Sequence, residues 1–158
     1  KRHDGSETLI PGEELDIDSI TREIHEQHRR QALPVMVQIA GRSGSGKSTI
    51  VRALHEKLQS IGLDSITLSS DDYHRGISWL TAYNHGSEWQ EWDHPIVYDT
   101  MEMAADLRKL QLGQAIPKRE INFKTVEPTY DGIVAPAPVV LIEGIYAGCA
   151  DLEEFRFS

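Results

Sequence analysis

The chain has 158 residues, which suits one domain and leaves no room for a second of ordinary size. Its 39% hydrophobic and 26% charged residues exclude a disordered chain. A net charge of −9 argues against nucleic acid or an anionic membrane as the main partner, but leaves room for a local phosphate site built from a few amides and one lysine.

Residues 1–15 are polar, carry Gly5, Pro11 and Gly12, and read as a flexible lead-in. They hold no apolar core of signal-peptide type, and no apolar run reaches the length of a membrane span, so a cytoplasmic protein is expected. One cysteine, Cys149, leaves no intramolecular disulfide and no multi-cysteine zinc site. From Asp16 onward Ile17, Ile20 and Ile24 recur at helical spacing, which predicts an amphipathic helix over 16–32, stopped by Pro34. The apolar run 35–40 (VMVQIA) predicts a buried strand.

A second helix starts near Lys47, carries Ile50, Val51, Leu54, Leu58 and Ile61 on one side, and ends at Gly62. Residues 65–69 (SITLS) predict a second strand, and residues 76–97, with Trp79, Tyr83, Trp89 and Trp92, an irregular aromatic stretch. Asp99 with Glu102 has the spacing of a capping box opening a helix to about Leu112, closed by Gly113. Residues 139–142 (VVLI) predict a third buried strand. Continuous apolar strands alternating with helices predict an α/β fold, a parallel sheet with helices on both faces.

Between the first strand and the second helix lies GRSGSGKS, residues 41–48, a full match to G-x-x-x-x-G-K-[ST]. Its glycines let successive amides turn toward phosphate oxygens, and the following helix adds its positive end. The loop predicts a nucleoside-triphosphate site. Gly41, Ser43, Gly44, Ser45, Gly46, Lys47, Ser48 and Thr49 are expected to bind the nucleotide, with Lys47 reaching the β and γ phosphates. Ser48 is the expected Mg²⁺ ligand of the loop. Glu143, at the C-terminal end of the third strand, is placed to join Ser48 in holding the metal or a metal-bound water.

The second strand runs into Ser69-Ser70-Asp71-Asp72-Tyr73-His74-Arg75. A kinase of a hydroxyl benefits from a carboxylate that accepts the proton, and a straight strand would aim only one of Asp71 and Asp72 at the γ-phosphate. His74 and Tyr73 follow closely enough to touch an acceptor. His94 before Pro95 is expected to fix the turn presenting Asp93. No Asn-Lys-x-Asp stretch and no Leu-Ser-Gly-Gly-Gln element occurs, which disfavours a GTPase or a transporter ATPase.

Four stretches in order, GRSGSGKST, LSSDDYHRG, EWDHPIVYDT and VVLIEGIYAG, resemble the uridine kinase and phosphoribulokinase family of P-loop kinases. The resemblance spans about Val35 to the chain end. It implies an ATP-dependent, Mg²⁺-using phosphotransferase, uridine-kinase-like, acting on a hydroxyl of a small molecule. By position it places the catalytic base on Asp71, with Asp72 as fallback, the sugar-contacting aspartate on Asp93, and the Walker-B-like acid on Glu143. It also allows a homo-oligomer. The pattern departs at 121–128: where uridine kinases carry Tyr-Asp-Phe, then His and Arg, this chain has Ile121, Asn122, Phe123, Val126 and Pro128. Lys118, Arg119 and Lys124 could instead receive an anionic acceptor or form a solvated strand edge. The family's lid and last strands lie beyond the Glu-Gly stretch, so residues 16–158 are expected to be a kinase domain incomplete at its C-terminal side, with an added N-terminal helix and Phe155-Arg156-Phe157 opening a further strand. A nucleotide-binding regulatory or docking module without kinase activity is the alternative, and a hydrolase using water a third reading.

Overall fold

The computed structural model describes residues 16–40 and 46–144. The lead-in, most of the glycine-rich loop and the stretch from 145 onward, including the strand expected at Phe155-Arg156-Phe157, lie outside the described residues.

Helix α1, Ile17–Arg30, begins at Asp16, whose carboxylate accepts from the Ser19 amide at 3.1 Å. Its isoleucine stripe turns inward, and Ile24 is fully buried. Strand β1 is Val35–Ala40, helix α2 is Lys47–Ser60 and strand β2 is Ser65–Ser69. A short 3-10 turn, Ser70–Tyr73, leads to helix α3, Ile77–Tyr83. A 3-10 turn at Pro95–Val97 precedes helix α4, Thr100–Gln111. Strands β3, Ile116–Asn122, and β4, Glu127–Val134, form an antiparallel hairpin, and β5 is Val139–Gly144.

The main sheet is parallel, with β5 between β1 and β2. Alternate residues of these strands feed two cores. Val35, Val37, Ile39, Val139 and Leu141 pack with Ile24 of α1 and Leu54 and Leu58 of α2. Met36, Leu68, Val140 and Ile142 pack with Met103, Leu107 and Leu110 of α4. Cover on both faces explains why β1 and β5 read as apolar runs, interrupted only by Gln38 in β1 and by Glu143 near the end of β5. The predicted α/β fold with a parallel sheet is the observed one.

Three expectations change. The stretch 76–97 is not wholly irregular: it contains α3 and a satellite core of Leu80, Trp89 and Val97. The β3–β4 hairpin was not foreseen. The capping box at α4 is only half formed: Asp99 Oδ1 accepts from the Glu102 amide at 3.0 Å, but the Glu102 carboxylate turns away to Arg119. The Asp99 amide donates instead to the Tyr73 carbonyl at 2.8 Å.

Candidate active site

Parallel pairing brings Ile39, Glu143 and Ser69 into one row at the C-terminal edge of the sheet. Ligands bind beyond this edge in open α/β sheets, because the helix N-termini and the loops that carry function converge there. Helix α2, the next element after β1, opens beside the same edge, its Ser48 lining one cavity with Glu143. Gly46 precedes it with φ +90°, a backbone conformation costly for a side-chain-bearing residue. No acidic residue sits in the first turn of α2, so nothing there opposes a bound anion. Ser48 and Thr49 are exposed in that turn. Gly41, Ser43, Gly44 and Ser45 lie outside the described residues, and Lys47 is placed only as the first residue of α2.

Glu143 shares its strand face with Val139 and Leu141, the side that packs on α2. It is half-buried and lines a cavity of about 340 Å³ together with Ser48, Val51, Arg52, His55, Ser65 and Thr67. One hydroxyl and one carboxylate lining the same cavity are hard oxygen donors, the set that Mg²⁺ takes in nucleotide sites, so the two residues fit the ion in chemistry. Ser65 of β2, on this face, is held in turn by α2: His55 Nδ1 lies 2.6 Å from Ser65 Oγ.

The chain does not continue straight after β2. The Ser69 hydroxyl accepts from the Asp71 amide at 3.2 Å and caps the 3-10 turn. Gly144 lets this turn approach β5: its φ is +133°, and a Cβ there would collide with the Ser70 side chain. Turning separates the two aspartates. Asp71 is exposed, whereas Asp72 is half-buried. Burial first, then the neighbouring charges of Glu120, Asp71 and Glu143, push the Asp72 carboxyl up to about 6, with Lys118 opposing.

His74 and Tyr73, both expected beside the acceptor, part company. Tyr73 is 3% exposed, its ring sits in the α4-side core, and its hydroxyl donates to Asp106 at 2.7 Å. That position serves the fold and does not face the crevice. His74 is half-buried, and its Nδ1 accepts from the Gly76 amide at 3.0 Å, which places the neutral ring's proton on Nε2. Burial, with the Arg119 charge, holds its pKa below the usual value. Its ring stacks on Trp92 with centroids 6.0 Å apart and meets the edge of Tyr98 at 5.5 Å.

Asp93 is exposed, directly before the turn at Pro95–Val97. His94 caps that turn, its Nδ1 accepting from the Ile96 amide at 3.0 Å, as expected from its place before proline. Of the tryptophans, Trp89 is core, while Trp79, stacked on Tyr83 at 5.1 Å, and Trp92 remain partly exposed. Arg75 lies over the Trp79 ring at 4.2 Å and pairs with Asp99 at 3.2 Å.

The basic residues of the hairpin do not act together. Lys118 is exposed and pairs with Glu120 at 3.4 Å. Arg119 is 8% exposed and wholly engaged inside the protein, which removes it as a receptor for an anionic acceptor. The residues at 121–128 also have structural work. Ile121 is buried, Asn122 Oδ1 accepts from the Lys124 and Thr125 amides, and the Val126 carbonyl accepts from the Ile77 amide at 2.7 Å. Glu127 caps the start of α3, accepting from the Ser78 amide and hydroxyl.

Sheet order, flanking helices and the glycine-opened α2 define the fold of P-loop kinases. A structure of a putative fructose transport system kinase from Silicibacter sp. TM1040 superposes with a TM-score of 0.76 at 21% identity, covering 90% of this chain and 71% of that one. A possible uridine kinase from Bacillus stearothermophilus superposes with a TM-score of 0.64 at 18% identity, covering 87% and 77%. The model of the phosphoribulokinase/uridine kinase family matches residues 36–152, and the chain belongs to that family. Uridine kinase of Brevibacillus brevis is 33% identical over 114 residues, which are 71% of this chain and 51% of the relative. The chain spans about half the length of the curated relatives it matches. Among the described residues, no helix is long and apolar enough to cross a membrane.

Proposed function

We propose that this chain carries the phosphate-holding and proton-accepting half of an ATP-dependent kinase that phosphorylates a hydroxyl of a small molecule. The observation that carries the reading is the convergence at one sheet edge of the first turn of α2, Glu143 and the Asp71 turn, with Ser48 and Glu143 lining one cavity. Lys47 and the amides of Gly41, Ser43, Gly44, Ser45, Gly46, Ser48 and Thr49 hold the nucleotide phosphates. Ser48 and Glu143 hold Mg²⁺, which when bound neutralises charge on the phosphate oxygens. Asp71, the exposed carboxylate at the strand end, accepts the proton of the attacking hydroxyl, and His74 and Asp93 line the acceptor side.

Of residues 121–128, Asn122 Oδ1, the Val126 carbonyl and the Glu127 carboxylate are committed to the hairpin turn and to α3, and Ile121 is buried, so the groups best placed to read an acceptor there are already engaged. A site that selects by hydrogen bonds needs free groups to pair with its substrate. This favours an acceptor held at the His74, Trp92 and Asp93 side, and leaves uridine as one candidate among several hydroxyl compounds.

The test is a mass-spectrometric transfer assay with MgATP and a panel of ribosides, sugars, sugar phosphates and small hydroxy acids. A phosphorylated product whose formation slows by about 10²–10⁴-fold in Asp71→Ala, while that variant still binds MgATP, supports the reading. ATP binding without any product would move the chain to the nucleotide-binding module, and acceptor-independent ADP release to a hydrolase.

A further inference from the structure

We propose that Arg119 is a positioning residue: from the hairpin it holds the turn that carries Asp71, an inference that rests on the reading of Asp71 as proton acceptor. The 3-10 turn over Ser70–Tyr73 closes weakly at its C-terminal end. Its closing bond, from the His74 amide to the Asp71 carbonyl, is long at 3.4 Å. The carbonyls that follow are all held from outside. Arg119 Nε donates to the Asp72 carbonyl at 3.0 Å and Nη2 to the His74 carbonyl at 2.7 Å, while the Asp99 amide takes the Tyr73 carbonyl between them.

The guanidinium is itself fixed. Nη1 donates to Glu102 Oε2 at 2.9 Å and to the Tyr130 hydroxyl at 2.6 Å. The rings of Tyr73 and Tyr130 each lie 5.5 Å from its central carbon. One planar fork therefore ties α4 and both hairpin strands to the main chain on either side of Tyr73. Asp71 precedes this grip by one residue, so the direction of its carboxylate depends on where the grip holds the backbone. A small misplacement of a reacting group can cost about 10²-fold in rate.

A lysine keeps the charge but offers a single nitrogen on a flexible stem, which cannot span two carbonyls and a carboxylate. Arg119→Lys should fold, bind MgATP with KM changed by no more than about twofold, and lose about 10²-fold in kcat. In an Asp71→Ala background the same substitution should cause no further loss, because the group it positions is gone. A purely structural role would lower Tm yet leave kcat per folded molecule unchanged well below the melt.

The experiment measures kcat, KM and amide hydrogen exchange of the full chain with each variant. Faster exchange at Asp71 through Arg75 in Arg119→Lys, unchanged exchange in α2, and the kcat loss confined to the Asp71-containing background support the proposal. Wild-type kcat or wild-type protection of the turn in Arg119→Lys overturns it while the functional reading stands. A chain whose transfer rate is undiminished in Asp71→Ala overturns that reading, and the positioning role falls with it.

Discussion

Asp72 and Tyr73 are neighbours in a single turn, and burial raises the pKa of both. For Tyr73 this has no consequence near neutral pH, since a phenol stays protonated there in any case. The Asp72 carboxyl is different. It is raised from 3.8 to about 6, so the folded state prefers it neutral. The stability this preference contributes is full below the unfolded value and is lost as pH rises through about 6. Asp72→Asn should accordingly leave stability near pH 4 unchanged and raise it at pH 8, by about 1 kcal/mol because solvent reaches much of the carboxyl and screens it. Urea melts at the two pH values measure this, and equal effects at both would show that the charge is not the cause. Tyr73→Phe should cost about 1–2 kcal/mol in the same melts, since it leaves the buried Asp106 carboxyl without its 2.7 Å donor. Nothing in the string LSSDDYHRG separates a tyrosine that faces an acceptor from one that faces α4. The 3-10 turn decides it, and that turn is set by the Ser69 cap and by Gly144, far away in sequence.

Elements differ in how far their residues betray them. Strands β1 and β5 were legible because both faces are covered, so all but Gln38 and Glu143 of their side-chain-bearing residues are apolar, and a proline before and a glycine at the end mark each run. Helices α1, α2 and α4 were legible from a one-sided stripe with a cap at one end. The β3–β4 hairpin was not. Pro117 and Pro128 break the strand pattern, Ile133 and Tyr130 stand exposed, and the inward position between Ile116 and Ile121 is taken by an arginine. Arg119 at an inward strand position looks like an error until Glu102, Tyr130 and two carbonyls are seen around it. The hairpin turn holds a further anomaly, Val126 at φ +54°, where a β-branched residue is strained. The position is kept because its carbonyl accepts from Ile77 and docks the hairpin on α3. Val126→Asn, which tolerates that backbone, should stabilise the protein by about 1 kcal/mol in thermal or urea melts. A loss of stability would mean that the valine's packing outweighs its strain.

On the scale of the whole molecule, the candidate site combines an anion-binding helix end with an acidic surround. Asp71, Asp72, Glu120 and Glu143 gather at the edge where a polyanionic nucleotide would sit, in a chain of net charge −9. Coulomb repulsion from these carboxylates would oppose ATP alone, whereas a divalent cation held, as proposed, between Ser48 and Glu143 would reverse the sign of the nearest interaction. Nucleotide binding should therefore depend steeply on Mg²⁺. A ligand at about 100 times its Kd stabilises the native state by about 2.7 kcal/mol, which for a chain of this size raises Tm by roughly 5–10 °C. MgATP should produce that rise, and ATP with a chelator should produce little of it. Lys47→Ala should lose the rise altogether. Glu143→Gln should narrow the gap between the two conditions, because it removes a metal ligand and a repelling charge together. Under the proposed role of Asp71 as proton acceptor, Asp71→Ala should keep the full MgATP shift, since it removes neither a phosphate-holding group nor a metal ligand. An equal shift with and without Mg²⁺ would place the nucleotide away from the row of carboxylates, and the assignment of Ser48 and Glu143 to the metal would fail with it.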